Sequence, residues 1–209
     1  MAFAGNLLRE TAMEPGGRQP APGALRLVQE FLNSVDLEDG GDAFARPDGL
    51  AAWLAARGLQ SGPPTLGEEE RRRAVALREA LRAVVATHGG GGRAGFDPAA
   101  AATLSRLAGA SPLVVAFDAG GTPSLRPAAP GVDGALGVVL AIVRAAEAEG
   151  TWPRLKTCAR DPCRWVFYDR SRNCSSRWCA MSVCGTREKM AAYRDRRVRG
   201  PSAPPGERY

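Results

Sequence analysis

The chain has one histidine, His88, and two lysines, Lys156 and Lys189, among 209 residues. A single histidine cannot supply a histidine-pair metal site, and no Ser/His/Asp arrangement accompanies it. His88 stands at a helix end before four glycines, where an imidazole interacts favourably with the helix dipole. The stretch GGGGRAG (89–95) lacks the Lys-Ser/Thr that completes a phosphate loop, and no dinucleotide fingerprint occurs. Catalysis is therefore not expected. No apolar run approaches the roughly 20 residues that span a bilayer. The opening stretch has acids among its apolar residues and no signal-peptide pattern, so the expected compartment is the reducing cytosol.

Charge is abundant but unevenly placed. Residues 151–199 hold 13 basic and 4 acidic side chains, whereas residues 1–150 hold 14 and 17. Arginine richness carries little weight in a chain so rich in Ala, Gly and Pro. Its segregation carries more, because it points the C-terminal part toward a polyanion.

The pattern predicts a mainly helical α+β fold. Residues 1–23, rich in Gly and Pro, read as a flexible tail. Residues 24–36 put Leu25, Val28, Leu32 and Val35 on one helical face. A loop (37–45) precedes a short helix capped by Asp48 and stopped at Gly58. Residues 61–67 read as a linker. The longest helix runs from Glu68 to His88, its acidic first turn suiting the dipole. A further helix starts at Asp97-Pro98. PLVVAFDAGGTPSLRP (112–127) is a hairpin signature. Residues 132–149 return to an apolar helix that Gly150 ends. The boundaries expected are thus a helical domain over 24–150, a C-terminal module over 151–199, and a disordered tail over 200–209.

All five cysteines fall between Cys158 and Cys184, as C-x4-C-x15-C-x4-C with Cys174 extra. Two short-spaced pairs separated by a linker can close a thiolate tetrahedron around zinc. A segment of roughly 40 residues cannot build a sufficient core without such a staple. Cys158, Cys163, Cys179 and Cys184 are the expected ligands of one structural Zn²⁺, with no open coordination position. The alternative is two disulfides and a free thiol. Cys174 reads as a small surface residue or, less simply, a redox group. The knuckle, a strand pair and a terminal helix carrying Cys184 predict a treble-clef-like finger.

The stretch LKTCARDPCRWVFYDRSRNCSSRWCAMSVCGTREKMAAYRDR resembles the CGNR zinc-finger family. RLVQEFLNSVDLEDGGDAFARPDGLAAWLAARGL resembles the N-terminal part of the associated ABATE domain. Together they look like bacterial stress-induced transcription regulators. Cys184, Gly185 and Arg187 match the name-giving motif, and Thr186 stands where the family usually has Asn. The resemblance implies the four cysteine ligands and a finger that binds DNA.

With four thiolates around Zn²⁺ the module's formal +9 falls to about +7. Arg170, Arg172, Arg177, Arg187, Lys189, Arg194 and Arg197 are the candidate phosphate contacts. The competing reading pairs such arginines with Asp161, Asp169, Glu188 and Asp195. Trp165, Phe167, Tyr168 and Trp178 read as a small core over the zinc or as base-stacking platforms. Asn33 is a candidate polar contact for a small-molecule effector, beside its reading as a surface residue. DNA, an effector and a second copy of the chain are the expected partners, with no membrane. The alternative function is a zinc-stabilised RNA-binding or protein–protein module.

Overall fold

The computed structural model describes residues 14–59, 66–88 and 97–199. Parts of the readings for residues 1–23, 61–67, 88–95 and 200–209 lie outside them. Among the described residues six helices occur: α1 (Leu25–Leu32), α2 (Pro47–Ala56), α3 (Glu68–Thr87), α4 (Pro98–Ala110), α5 (Gly131–Ala148) and α6 (Thr186–Arg199). Two antiparallel hairpins complete them, β1 (Leu113–Phe117) with β2 (Pro123–Pro127), and β3 (Leu155–Thr157) with β4 (Val166–Tyr168). This is the α+β, mainly helical fold that periodicity predicts.

The helices form where their apolar faces find partners. α1 buries Leu25, Leu27, Val28, Phe31 and Leu32, while Val35 lies beyond its end in a bridge to Asp42. Phe31, Phe44 and Trp53 meet in tilted and edge-on contacts with centroids 5.5–5.7 Å apart, the geometry ring quadrupoles favour. α2 starts one residue before the expected cap, with Pro47 in its first turn and Arg46 at the N-cap. α3 crosses the centre against α1, α2, α4, α5 and β3. Asp97 caps α4 by accepting from Ala99 N at 2.9 Å.

α5 packs tightly on β2. A Cβ at Gly137 would lie 3.2 Å from Pro127 Cβ, so a bare backbone permits the approach. The β1–β2 turn is held by Asp118 Oδ1, which accepts from Gly120 N and Thr122 N. Val114, Val115, Phe117 and Leu125 remain exposed on the hairpin.

Two sequence expectations change. Gly150 does end α5 with φ +68°, but packing does not break there. Trp152, Leu155, Val166 and Tyr168 join the same buried cluster as Val28, Leu77 and Val85. The short β3–β4 strands have too little area to stand alone, so they complete their burial on α1 and α3. Residues 14–23 are also no free tail. Pro15–Gly17 form a 3₁₀ turn against Met181–Gly185, and Ala21 is buried, its N–H donated to Gln29 Oε1 at 2.6 Å. A Gly/Pro-rich segment without period can still be ordered by specific polar contacts to its neighbour.

Candidate metal centre and nucleic-acid face

The β3–β4 hairpin presents the first cysteine pair. Cys158 follows β3 and donates its N–H to Trp165 O at 2.8 Å. Cys163 N and Arg164 N both donate to Arg160 O at 3.0 Å, and Arg164 takes φ +44°. That left-handed residue turns the chain back into β4. The second pair lies on the other side of a loop. Cys179 is buried, and Cys184 sits in a π-helical turn, Met181–Gly185, that runs into α6. Gly185 sits close under its neighbours: a Cβ would displace the Met181 thioether and approach Trp178 Cδ1 to 3.1 Å.

The four sulfurs converge. All lie within 4.8 Å of one another, with Cys163–Cys179 at 3.7 Å and Cys179–Cys184 at 3.6 Å. A tetrahedron with Zn–S of about 2.3 Å has edges of about 3.8 Å, so the donor set and its spacing fit zinc. All five cysteines are free thiols, which removes the two-disulfide alternative. Crowding splits their proton affinities. Hydrogen bonds from the Cys163 and Cys179 thiols hold Cys158 down at about 2, while Cys163, hydrogen-bonded to Cys158, is pushed up to about 12. Cys179 is raised further by both neighbours. Four thiolates cannot coexist there without a cation between them.

Phe167 packs beside the buried cysteines, with Trp165, Trp178 and Val183 around them. Tyr168 instead enters the main core. Phe167 and Tyr168 are thus internal rather than available for stacking.

Polar side chains from outside the finger hold it in place. Arg18 donates from Nε to Cys179 O at 2.7 Å, from Nη2 to Trp178 O at 3.1 Å and from Nη1 to Tyr168 O at 3.2 Å. Its guanidinium also lies 4.6 Å from the Phe167 centroid. Glu14 accepts from Trp165 Nε1 at 2.8 Å, and burial raises its carboxyl above the usual range. Arg82 donates to Leu32 O and Arg164 O.

Asn33 has a structural role that its reading as an effector contact did not foresee. Its Nδ2 donates to Val166 O at 2.7 Å, and its Oδ1 accepts from Val166 N at 2.8 Å. Both amide atoms pair like a strand with the edge of β4, which gives Asn33 a structural role in holding the hairpin. Gln29 adds a bond to the same carbonyl at 3.2 Å.

The basic residues divide. Lys156 is internal, ion-paired with Asp169 at 2.8 Å and bonded to Cys174 O. Burial opposes ionisation of Asp169, but Lys156, Ser171 and Ser176 together hold its carboxyl below the usual range. The half-buried Cys174, at φ +48°, helps close this loop through its carbonyl. Arg170 donates to Pro20 O and lies 5.3 Å from the Tyr168 centroid. Arg187 pairs with Glu38, not with the acids of its own module. Arg172, Arg177, Lys189, Arg194 and Arg197 are exposed and have no ion-pair partner among the described residues. None of residues 186–197 is buried.

Residues 154–197 match the CGNR zinc-finger model, and residues 25–161 match ABATE, described as "Putative stress-induced transcription regulator". The chain belongs to the ABATE family. Its two matches overlap over 154–161, the stretch of β3 and the first knuckle, where helical core and finger share residues. No curated protein matches the chain. An ABATE protein with this cluster carries one structural zinc in its CGNR finger. No helix among the described residues is long and apolar enough to cross a membrane. Composition and period gave no signal for Arg18, Gln29, Glu38 or Arg82, whose partners lie far away in the chain.

Proposed function

We propose that this ABATE protein regulates transcription by binding duplex DNA through the open side of a treble-clef-like finger. It would act in the cytoplasm, where DNA is accessible and thiols stay reduced. The observation that carries this reading is α6. A helix without a buried face is either solvated or made for a partner, and this one bears Lys189, Arg194 and Arg197 unpaired among the described residues. Helical spacing puts positions 187, 190, 194 and 197 on one side. An α-helix fits the major groove, with Arg170, Arg172 and Arg177 on the adjoining loop for phosphates. Zinc contributes no chemistry here beyond holding the helix on its platform.

The helical domain is assigned the sensing role. Its candidate site is the groove of about 800 Å³ between β2, α5 and residues 22–25, lined by Val115, Leu125, Val138 and Ile142. That size suits a small molecule.

The test is anisotropy of a mixed-sequence duplex titrated at several salt concentrations. Arg194→Gln with Arg197→Gln lowers the slope of log K against log salt by about 2. Cys179→Ser abolishes binding along with the metal. An unchanged slope in the double variant refutes the reading. Met190 and Tyr193, about half exposed on the same helix, favour a second reading in which α6 docks on RNA or an acidic protein. Competition of either against duplex at equal concentration discriminates the two.

A further inference from the structure

A groove of about 460 Å³ runs between the first knuckle and α6, lined by Arg160, Pro162, Arg187, Met190 and Arg194 among others. Three arginines and Glu188 line it, and an acidic side chain from the helical domain pairs with two of those arginines. Arg160 Nη1 lies 2.7 Å from Glu38 Oε2, and Arg187 Nη1 lies 2.8 Å from Glu38 Oε1. Two guanidinium groups on one carboxylate, one to each oxygen, is how a tetrahedral oxyanion is also held. Arg160 is mostly covered, at 16 % side-chain exposure, and it stands in the first knuckle, where its carbonyl accepts from Cys163 N and Arg164 N. Its backbone is therefore fixed in the turn that carries the first cysteine pair.

We propose that Arg160 and Arg187 form a seat for a DNA backbone phosphate, and that Glu38 fills this seat as an internal competitor in the free protein. The inference rests on the DNA reading above and names the regulation of that surface. The sequence pattern singles out neither Arg160 nor Glu38.

The strength of the contact sets the kind of control. Arg187 is 54 % exposed and Glu38 31 %. Ion pairs this open are weak, so an incoming polyanion can displace the carboxylate. Among the described residues the Glu38 carboxylate bonds Arg160 and Arg187 alone. The turn that carries it is held separately, with Asp36 Oδ1 accepting from Glu38 N and Asp39 N. Asp42, further along the loop, is occupied by Arg78. Glu38 thus leaves the seat without unfolding the loop. It lowers affinity rather than abolishing it, and anything that shifts loop 36–42 on the helical domain changes the affinity of the finger.

The experiment compares full-length wild type, Glu38→Gln, and Glu38→Gln with Arg160→Gln, each with zinc content verified. Two polyanions are titrated against salt: a mixed-sequence duplex and long-chain polyphosphate. Glu38→Gln is expected to bind duplex about fivefold tighter, at the low end of internal couplings, with a salt slope steeper by about one. Adding Arg160→Gln is expected to cancel that gain. Unchanged affinity for both polyanions in Glu38→Gln, or a gain that survives loss of Arg160, overturns the seat. Tighter polyphosphate binding by Glu38→Gln, with no duplex binding by any protein, keeps the anion seat and overturns the DNA reading.

Discussion

Replacing Asn33 with alanine removes two hydrogen bonds at once, and the buried edge of β4 cannot replace both. Val166 is fully buried. Its carbonyl keeps a bond from Gln29 Nε2 at 3.2 Å, but its N–H loses its partner at 2.8 Å. An orphaned buried donor costs about 1–3 kcal/mol, and the weakened carbonyl adds a fraction of that. The expected loss is about 2 kcal/mol. For a chain of this size, 1 kcal/mol shifts Tm by roughly 2–4 °C, so Asn33→Ala should melt about 4–8 °C below wild type. Because β4 leads out of the first knuckle, zinc transfer to a chelator should also accelerate. Denaturant unfolding, followed by tryptophan fluorescence, gives the first number and a colorimetric chelator the second. A solvent-facing Asn that only touches an effector would change stability by less than about 0.5 kcal/mol. A value in that range, with unchanged zinc release, refutes the clasp.

Two further perturbations read the same junction. Arg18→Ala should speed zinc release to a chelator by about tenfold, the scale of supporting-contact losses at metal sites, since three backbone carbonyls beside Cys179 lose their donor; an unchanged rate would show the strap to be idle. His88 is half-buried with Nδ1 2.9 Å from Leu155 O and its ring edge-on to Trp152. Burial outweighs the Leu155 bond and depresses its pKa below 6.5. The folded state therefore binds the proton later than the unfolded state, so stability is constant above about pH 6.5 and declines as pH falls below it. His88→Gln should flatten that part of the profile between pH 7.5 and 5.5, and parallel profiles would sink the assignment.

Local chemistry was readable where a residue's role depends on neighbours in the chain. The cysteine spacing announces the tetrahedron because each pair closes within one turn. The stripe of α3 and the apolar centre of α5 announce helices because 3.6-residue periodicity is local. What escaped was contact at long range between single polar groups. Glu38 and Arg187 are 149 residues apart and Arg18 and Cys179 161 apart, and nothing in composition pairs them. Asn33 was noticed as a polar residue on an apolar face, but the likelihood of a strand edge waiting 133 residues later was not visible. The expected tail failed for the same reason: glycine and proline signal missing periodicity, which is a different thing from missing contacts.

The β3–β4 hairpin belongs energetically to the helical core, and the second cysteine pair with α6 depends on the metal. In an isolated finger, zinc binding energy is folding energy, and removal of the metal unfolds the module. Here β3 and β4 are buried from the other side by α1 and α3, and Asn33, Gln29 and Arg82 bond their backbone or the knuckle. Chelation should therefore release the second cysteine pair and α6, which have no burial in the main core, while the hairpin stays docked. Circular dichroism after chelation should lose about one helix of 14 residues, with a cooperative melt of the remainder preserved. Loss of that melt would mean the core depends on zinc. A graded loss confined to the C-terminal helix would mean that the helical domain holds the first knuckle in register, ready to recapture the metal.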